Sequence, residues 1–268
     1  MPDKKLPLEW HEIFSRLIAL YGLAAVKNFA QARVIVFGVG GVGSFAAEAL
    51  VRSAIGNILL VDFDTIVNSN INRQLQAFVS KVGQPKATIM RERLYKINPY
   101  ARIDASIKKY DSKQADILLK PPWPGAAFDY VVDCIDDLGA KAHLLATCRT
   151  LQLPVVSSMG AGGKTDPTRI RIKDLAATDI CPLAQQLRKR LRQKHGFPRK
   201  GKMGVMAVFS EETPQKIDTS ESERLFVNSE AIANLPRIHG TLVAVTGSFG
   251  LACASQVINS LRSHLQKS

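Results

Sequence analysis

Two cations and three carboxylates, spaced behind a glycine-rich turn, are the residues of this chain best suited to chemistry on a nucleotide. The turn is Gly38-Val39-Gly40-Gly41-Val42-Gly43. Gly38, Gly40 and Gly43 keep the G-x-G-x-x-G spacing, and Gly41 adds a fourth small residue. Glycines let the backbone turn tightly and come close to a phosphate, while the N–H groups at the start of the following helix point at it. About twenty residues further on, Asp62 ends an apolar run, where a carboxylate accepts hydrogen bonds from ribose hydroxyls. The turn alone fits a dinucleotide as well as a mononucleotide. The distinction comes from Asp64, Asn70, Arg73, Lys86 and Asp136. An adenylating site needs cations around a triphosphate and a carboxylate to hold Mg2+. Arg73 and Lys86 supply the first and Asp136 the second, whereas hydride transfer has no use for two cations beside the phosphate turn. Each residue also has a purely structural explanation. Arg73 would be a solvated surface side chain, Asp136 the cap of the next helix, and Asp64 a brace for its own loop. Lys86 fits that explanation least, because a cation at a helix start opposes the dipole.

These residues need a scaffold, and the apolar pattern supplies one. Val34 to Phe37, Asn57 to Val61, Arg102 to Ile107, Tyr130 to Asp133 and Val155 to Ser158 read as strands. Between them, Ser44 to Arg52, Gln84 to Ile97, Ser112 to Leu119 and Leu138 to Leu151 read as helices, and Leu17 to Ala30 as one or two more. Such alternation predicts an α/β fold with a doubly wound, mainly parallel Rossmann-like sheet. Ligands of such sheets lie at the carboxyl ends of strands, so Gly38, Asp62 and the Asp133–Asp136 segment converge on one crevice. With no clean linker, a single domain is expected over residues 1–268. Its nucleotide-binding core spans 31–158, and 159–268 form a C-terminal extension of the same sheet. That extension holds strands at Arg169 to Ile172 and Gly204 to Phe209, a basic helix from Pro182 to His195, and a mobile loop or lid from Glu211 to His239.

Composition narrows the function classes. A hydrophobic share of 46% argues for an ordered globular chain, and a net charge of +13 favours a polyanionic partner. Arg188, Lys189, Arg190, Arg192, Lys194, Arg199, Lys200 and Lys202 fall in a stretch without one acidic residue. Phosphate contacts along an RNA backbone would use it, with Arg188, Arg190, Arg192 and Lys194 as the helical part. Cys134, Cys148, Cys181 and Cys253 form no C-x-x-C pair, which excludes a paired-cysteine zinc site and suits a reducing compartment. A cytoplasmic location is therefore expected, with an organelle left open by the short basic N-terminus. Gly240 to Leu261 lacks charge, but Thr241, Thr246, Ser248, Ser255, Gln256 and Asn259 interrupt it. It reads as a strand or turn leading into a buried helix rather than a membrane span.

In combination the motifs are specific. G-x-G-G-V-G-S, then Asp62-Phe63-Asp64, then Ser69-Asn70-Ile71-Asn72-Arg73-Gln74, then Gly83-Gln84-Pro85-Lys86, then Asp133-Cys134-Ile135-Asp136 resembles the ubiquitin-activating-enzyme-like superfamily of adenylating enzymes. Gly160-Ala161-Gly162-Gly163-Lys164-Thr165-Asp166-Pro167-Thr168-Arg169, Val208 to Glu212 and Gly247 to Gly250 resemble its tRNA threonylcarbamoyladenosine dehydratase branch. The resemblance implies ATP and Mg2+ as cofactors, with Gly41 and its neighbours on phosphate and Asp62 on ribose. It implies Asn70, Arg73 and Lys86 on the triphosphate, and Asp136 on the metal. It also implies a homodimer in which Arg16 reaches the γ-phosphate across the interface. The implied substrate is tRNA bearing N6-threonylcarbamoyladenosine at position 37. Its carboxylate would be adenylated and then closed by its own carbamoyl group, for a net loss of water. A monovalent cation and a sulfur-transfer or carrier-protein partner stay open. Two alternatives remain: an activator of a ubiquitin-like or sulfur-carrier protein, with Cys181 as thioester nucleophile, and a nucleotide-regulated RNA-binding protein without catalysis.

Overall fold

The computed structural model describes residues 7–123, 127–215 and 240–265. Of the stretch from Glu211 to His239, residues 216–239 therefore lie outside the described residues. Seven strands form one sheet in the order β3-β2-β1-β4-β5-β7-β6. They are β1 (Arg33–Phe37), β2 (Asn57–Val61), β3 (Arg102–Ser106), β4 (Tyr130–Asp133), β5 (Val155–Ser158), β6 (Ile170–Asp174) and β7 (Met206–Ser210). All neighbours pair in parallel except the edge pair β6 and β7, which is antiparallel. The chain reverses between β2-β1 and β4-β5, and this reversal opens the crevice expected of a doubly wound sheet.

The central strands are apolar along their whole length because both faces are covered. All of β4 and β5, and four residues in each of β1 and β2, are buried. One face packs on α4 (Gly43–Arg52) and on the long C-terminal helix α9 (Val243–Leu265). In α9, Phe249, Cys253 and Val257 recur every fourth residue and are fully buried, so the uncharged C-terminal stretch is a core helix. Burial of a side chain such as Phe249 or Val257 contributes about 1.5–3 kcal/mol. No helix among the described residues is long and apolar enough to cross a membrane. The other face packs on α7 (Leu138–Thr150) and α8 (Pro182–Lys194).

Elsewhere the helices are α1 (Leu8–Ile13), α2 (Ser15–Tyr21), α3 (Leu23–Gln31), α5 (Lys86–Ile97) and α6 (Ala115–Leu118). The sequence pattern anticipated α2 and α3 but not α1, whose single turn and a half is anchored by buried Trp10 against Phe14. Nor did it anticipate the direction of β6. That strand is half-exposed at the edge, where a Lys and an Arg discourage further pairing.

Candidate active site

The glycine turn is shaped for an anion. Gly38 donates to Val61 O and Val39 to Asp62 Oδ2 at 2.7 Å, which ties the turn to β2. Gly43 must be glycine, because a Cβ there would overlap the Gly38 carbonyl. Val42, the N-cap of α4, brings no side-chain cap. Among the described residues, the backbone N–H groups of Gly40, Gly41, Val42 and Gly43 have no acceptor. Four consecutive free donors at a helix start can cradle an anion such as phosphate. Gln76, fully buried, fixes the floor by donating to Val39 O at 2.6 Å.

Around this cradle the structure gathers most of the residues named from sequence. Asp62 is buried and accepts from the N–H groups of Val39 and Asp64. Burial pushes its carboxyl above the usual range, against the pull of those N–H groups and of Lys86. The segment after β2 folds back so that Ile66 donates to Gln84 O and Lys86 to Asp64 O. That return places the buried Lys86 Nζ 2.7 Å from Asp64 Oδ2. The cation at the start of α5 thus has a local carboxylate that offsets the helix dipole. Asn70 is buried in a short 3-10 turn, with Oδ1 accepting from Val67 N–H at 3.2 Å. The next residues deliver Arg73, whose stem lies on the glycine turn. A Cβ on Gly41 would stand 3.2 Å from Arg73 Cγ and Cδ. The Arg73 guanidinium donates to Ser69 O and Asn72 Oδ1, and burial lowers its proton affinity.

Asp136 stands just past β4, exposed, with no hydrogen bond or ion pair to its carboxylate among the described residues. It does not cap α7. Asp137 does so, accepting from Ala140 N–H at 2.7 Å. No group of three or more His, Cys, Asp or Glu side chains able to hold a metal gathers among the described residues. One open carboxylate suits Mg2+ that shares phosphate oxygens and keeps its waters.

Three features escaped the sequence. Lys141, on α7, is fully buried, with Nζ 2.7 Å from Asp133 Oδ2, 3.0 Å from Ser158 O and 3.3 Å from Ser157 Oγ. Ser157 Oγ also donates to Asp133 Oδ2, and Asp133 Oδ1 accepts from Ile135 N–H, which sets the loop that carries Asp136. Lys164 is buried 3.4 Å from Ser210 O, with its Nζ 5.8 Å from the Phe249 ring centroid. Burial lowers its proton affinity, against the opposing charges of Cys181 and Glu212. On α8 the arginines divide. Arg188 donates to Thr178 O at 2.9 Å and Arg192 to Pro198 O at 3.2 Å. Both line a cavity of about 590 Å³ with Lys189 and Arg199, while Lys194 is exposed. Arg190 is not part of that cavity. Arg16 is exposed on α2 and makes no hydrogen bond or ion pair among the described residues.

Known proteins resemble the chain along most of its length. The ThiF family model covers residues 14–268. The tRNA threonylcarbamoyladenosine dehydratase of Escherichia coli (strain K12) is 37% identical over 261 residues, 94% of each chain. That of Bacillus subtilis (strain 168) is 42% identical over 201 residues, 75% of each chain. The crystal structure of the E. coli enzyme in complex with ATP superposes with a TM-score of 0.85 at 35% identity, covering 98% of each chain. The chain therefore belongs to the ThiF family, in the branch of the tRNA threonylcarbamoyladenosine dehydratases.

Proposed function

We propose that this protein uses ATP to dehydrate N6-threonylcarbamoyladenosine at position 37 of tRNA to a cyclic form. The observation that carries this reading is the run of free N–H groups from Gly40 to Gly43, with the Arg73 stem against Gly41 and with the loop that leads to the unpaired Asp136 packed, at Cys134, against Gly38. The kinship with the dehydratases supports the choice of substrate.

The residues divide the work. The glycine turn cradles phosphate, Asp62 accepts from the ribose, and Asn70, Arg73 and Lys86 neutralise the triphosphate. For Lys86 this means exchanging Asp64 for a phosphate. Asp136 would hold Mg2+, which supplies charge neutralisation on the departing pyrophosphate. A carboxylate oxygen of the threonyl group bonds to the α-phosphorus, and pyrophosphate leaves with the electron pair of the broken P–O bond. The carbamoyl group then attacks the activated acyl carbon, loses a proton and expels AMP. The attacking group is intramolecular, so no protein nucleophile is needed. Cys181, the thioester candidate of the carrier-activating alternative, is buried at the N-cap of α8. The cavity along α8 is basic enough to follow tRNA phosphates. A homodimer that brings Arg16 to the partner's γ-phosphate is supported by the exposed apolar residues beside it, Ile13, Leu20 and Leu23.

The test is incubation with ATP, Mg2+ and threonylcarbamoylated tRNA. Expected are AMP, pyrophosphate and a nucleoside lighter by one water. An unchanged nucleoside, with pyrophosphate exchange stimulated by a carrier protein, would overturn the proposal.

A further inference from the structure

Arg188 and Arg192 have acceptors within their own surroundings, Thr178 and Pro198. Arg190 lies two residues from each and projects from the other side of α8. Its guanidinium reaches the first turn of α7. A Cβ built on Gly139 would stand 3.3 Å from Arg190 Nη2 and 3.1 Å from Asp137 Oδ1. Arg190 Nε is buried and has no acceptor. Among the described residues, no hydrogen bond or ion pair engages any of its nitrogens. A buried donor without an acceptor is costly, and a planar fork of donors matches a carboxylate bidentately. The fork thus stands beside the first turn of α7, unpaired among the described residues and with its Nε buried.

Its position along the sheet selects the ligand. Asp62 follows β2, the glycine turn follows β1, and Asp136 follows β4. On the function proposed above, ribose, phosphate and metal would take successive strand ends. The start of α7, where Arg190 lies beside Gly139, comes just after Asp136 in the chain. The N-terminal end of α8 reaches the end of β5, the next strand in the row, where Leu183 Cβ comes within 3.8 Å of a Cβ built on Gly160. A group held by Arg190 would therefore lie next to the segment that carries Asp136. Resting on the function proposed above, we propose that Arg190 binds the threonyl carboxylate of the tRNA-borne nucleoside and holds it for attack on the α-phosphorus. One carboxylate oxygen forms the new bond to phosphorus while the fork keeps the other. Arg190 neither gains nor loses a proton. Gly139 keeps the space beside the fork clear. Because α8 also lines the basic cavity, tRNA docking and carboxylate recognition share one rigid element.

The experiment compares Arg190→Gln, Arg190→Lys and Gly139→Ala with wild type. It measures affinity for tRNA with and without the threonylcarbamoyl group, affinity for a non-hydrolysable ATP analogue, and single-turnover AMP formation. Arg190→Gln is expected to lose about 30-fold in affinity for the modified tRNA, with unmodified tRNA and nucleotide bound as before. Arg190→Lys should recover part of the loss. Gly139→Ala, which crowds the fork but keeps the arginine, should weaken modified tRNA alone. An equal loss for both tRNAs would make Arg190 a backbone contact, and a loss for nucleotide a phosphate contact. Either overturns the assignment, as does an Arg190→Gln protein indistinguishable from a wild type that converts its substrate. A wild type that converts no modified tRNA overturns the functional reading and this assignment with it.

Discussion

Asp133 and Asp136 stand three residues apart at the end of β4, and their surroundings differ in kind. Asp133 is fully buried and saturated by Lys141 Nζ, Ser157 Oγ and Ile135 N–H. Asp136 is exposed and has no protein partner among the described residues. The same division runs through the cations. Lys141 spends its three protons on three acceptors, while the Arg190 Nε has none. Charges that build the crevice are satisfied from within the chain. The charges without a protein partner among the described residues, Asp136 and the Arg190 Nε, are the ones free to meet a substrate.

The largest predicted effects come from breaking the saturated side. Lys141→Met leaves Asp133 buried and unpaired, so unfolding in urea should show a loss of about 3–5 kcal/mol. Gly43→Ala should be comparably severe, because its Cβ meets backbone that cannot yield. A Lys141→Met protein as stable as wild type would remove the distinction between the two charge sets. On the open side the order inverts. Asp136→Asn should leave stability within about 0.5 kcal/mol while AMP formation falls at least about 100-fold, since the carboxylate proposed to hold Mg2+ is lost. Gly41→Ala should act more weakly. Its Cβ presses on the flexible Arg73 stem at 3.2 Å and just touches Thr246 Cβ at 3.4 Å, so the protein should stay folded and lose about tenfold in ATP affinity. Loss of folding in Gly41→Ala would place Arg73 on the structural side.

This division also marks what the sequence could reveal. The candidate site residues were legible because they follow local motifs: the glycine turn, Asp62 just past a strand, and Arg73 and Lys86 behind it. The parallel sheet was legible from continuous apolar runs such as Val34 to Phe37. Lys141 was not. It sits in a helix among alanines and leucines, where an exposed lysine would look the same, and its partners come from two other strands. The antiparallel turn of β6 was hidden for a related reason, since an edge strand's alternation carries no direction. Arg190 was half legible. Its presence in a basic helix was plain, but its separation from Arg188 and Arg192 depends on where α8 docks against α7.

The smallest predicted effect separates the two charge sets by sign. Glu48, on α4, lies 2.6 Å from Arg93 Nε and 2.9 Å from Arg52 Nη2. Burial works to raise its carboxyl, but the two arginines win and hold it below the ordinary value of 4.5. Its stabilisation is therefore fully present above pH 4.5 and lost as the pH falls through the lower, folded value. Asp62 runs the other way. Burial holds it above the ordinary 3.8, so its ionisation costs stability, and that cost is relieved as the pH falls through the raised value towards 3.8. In the absence of nucleotide, Glu48→Gln should flatten the acid side of the stability profile. Asp62→Asn should steepen it, because an opposing contribution is gone. Thermal unfolding midpoints between about pH 7 and pH 3.5 would show both slopes. If both substitutions flattened the profile, Asp62 would be a saturated structural carboxylate like Asp133, and the ribose contact assigned to it would lose its physical basis.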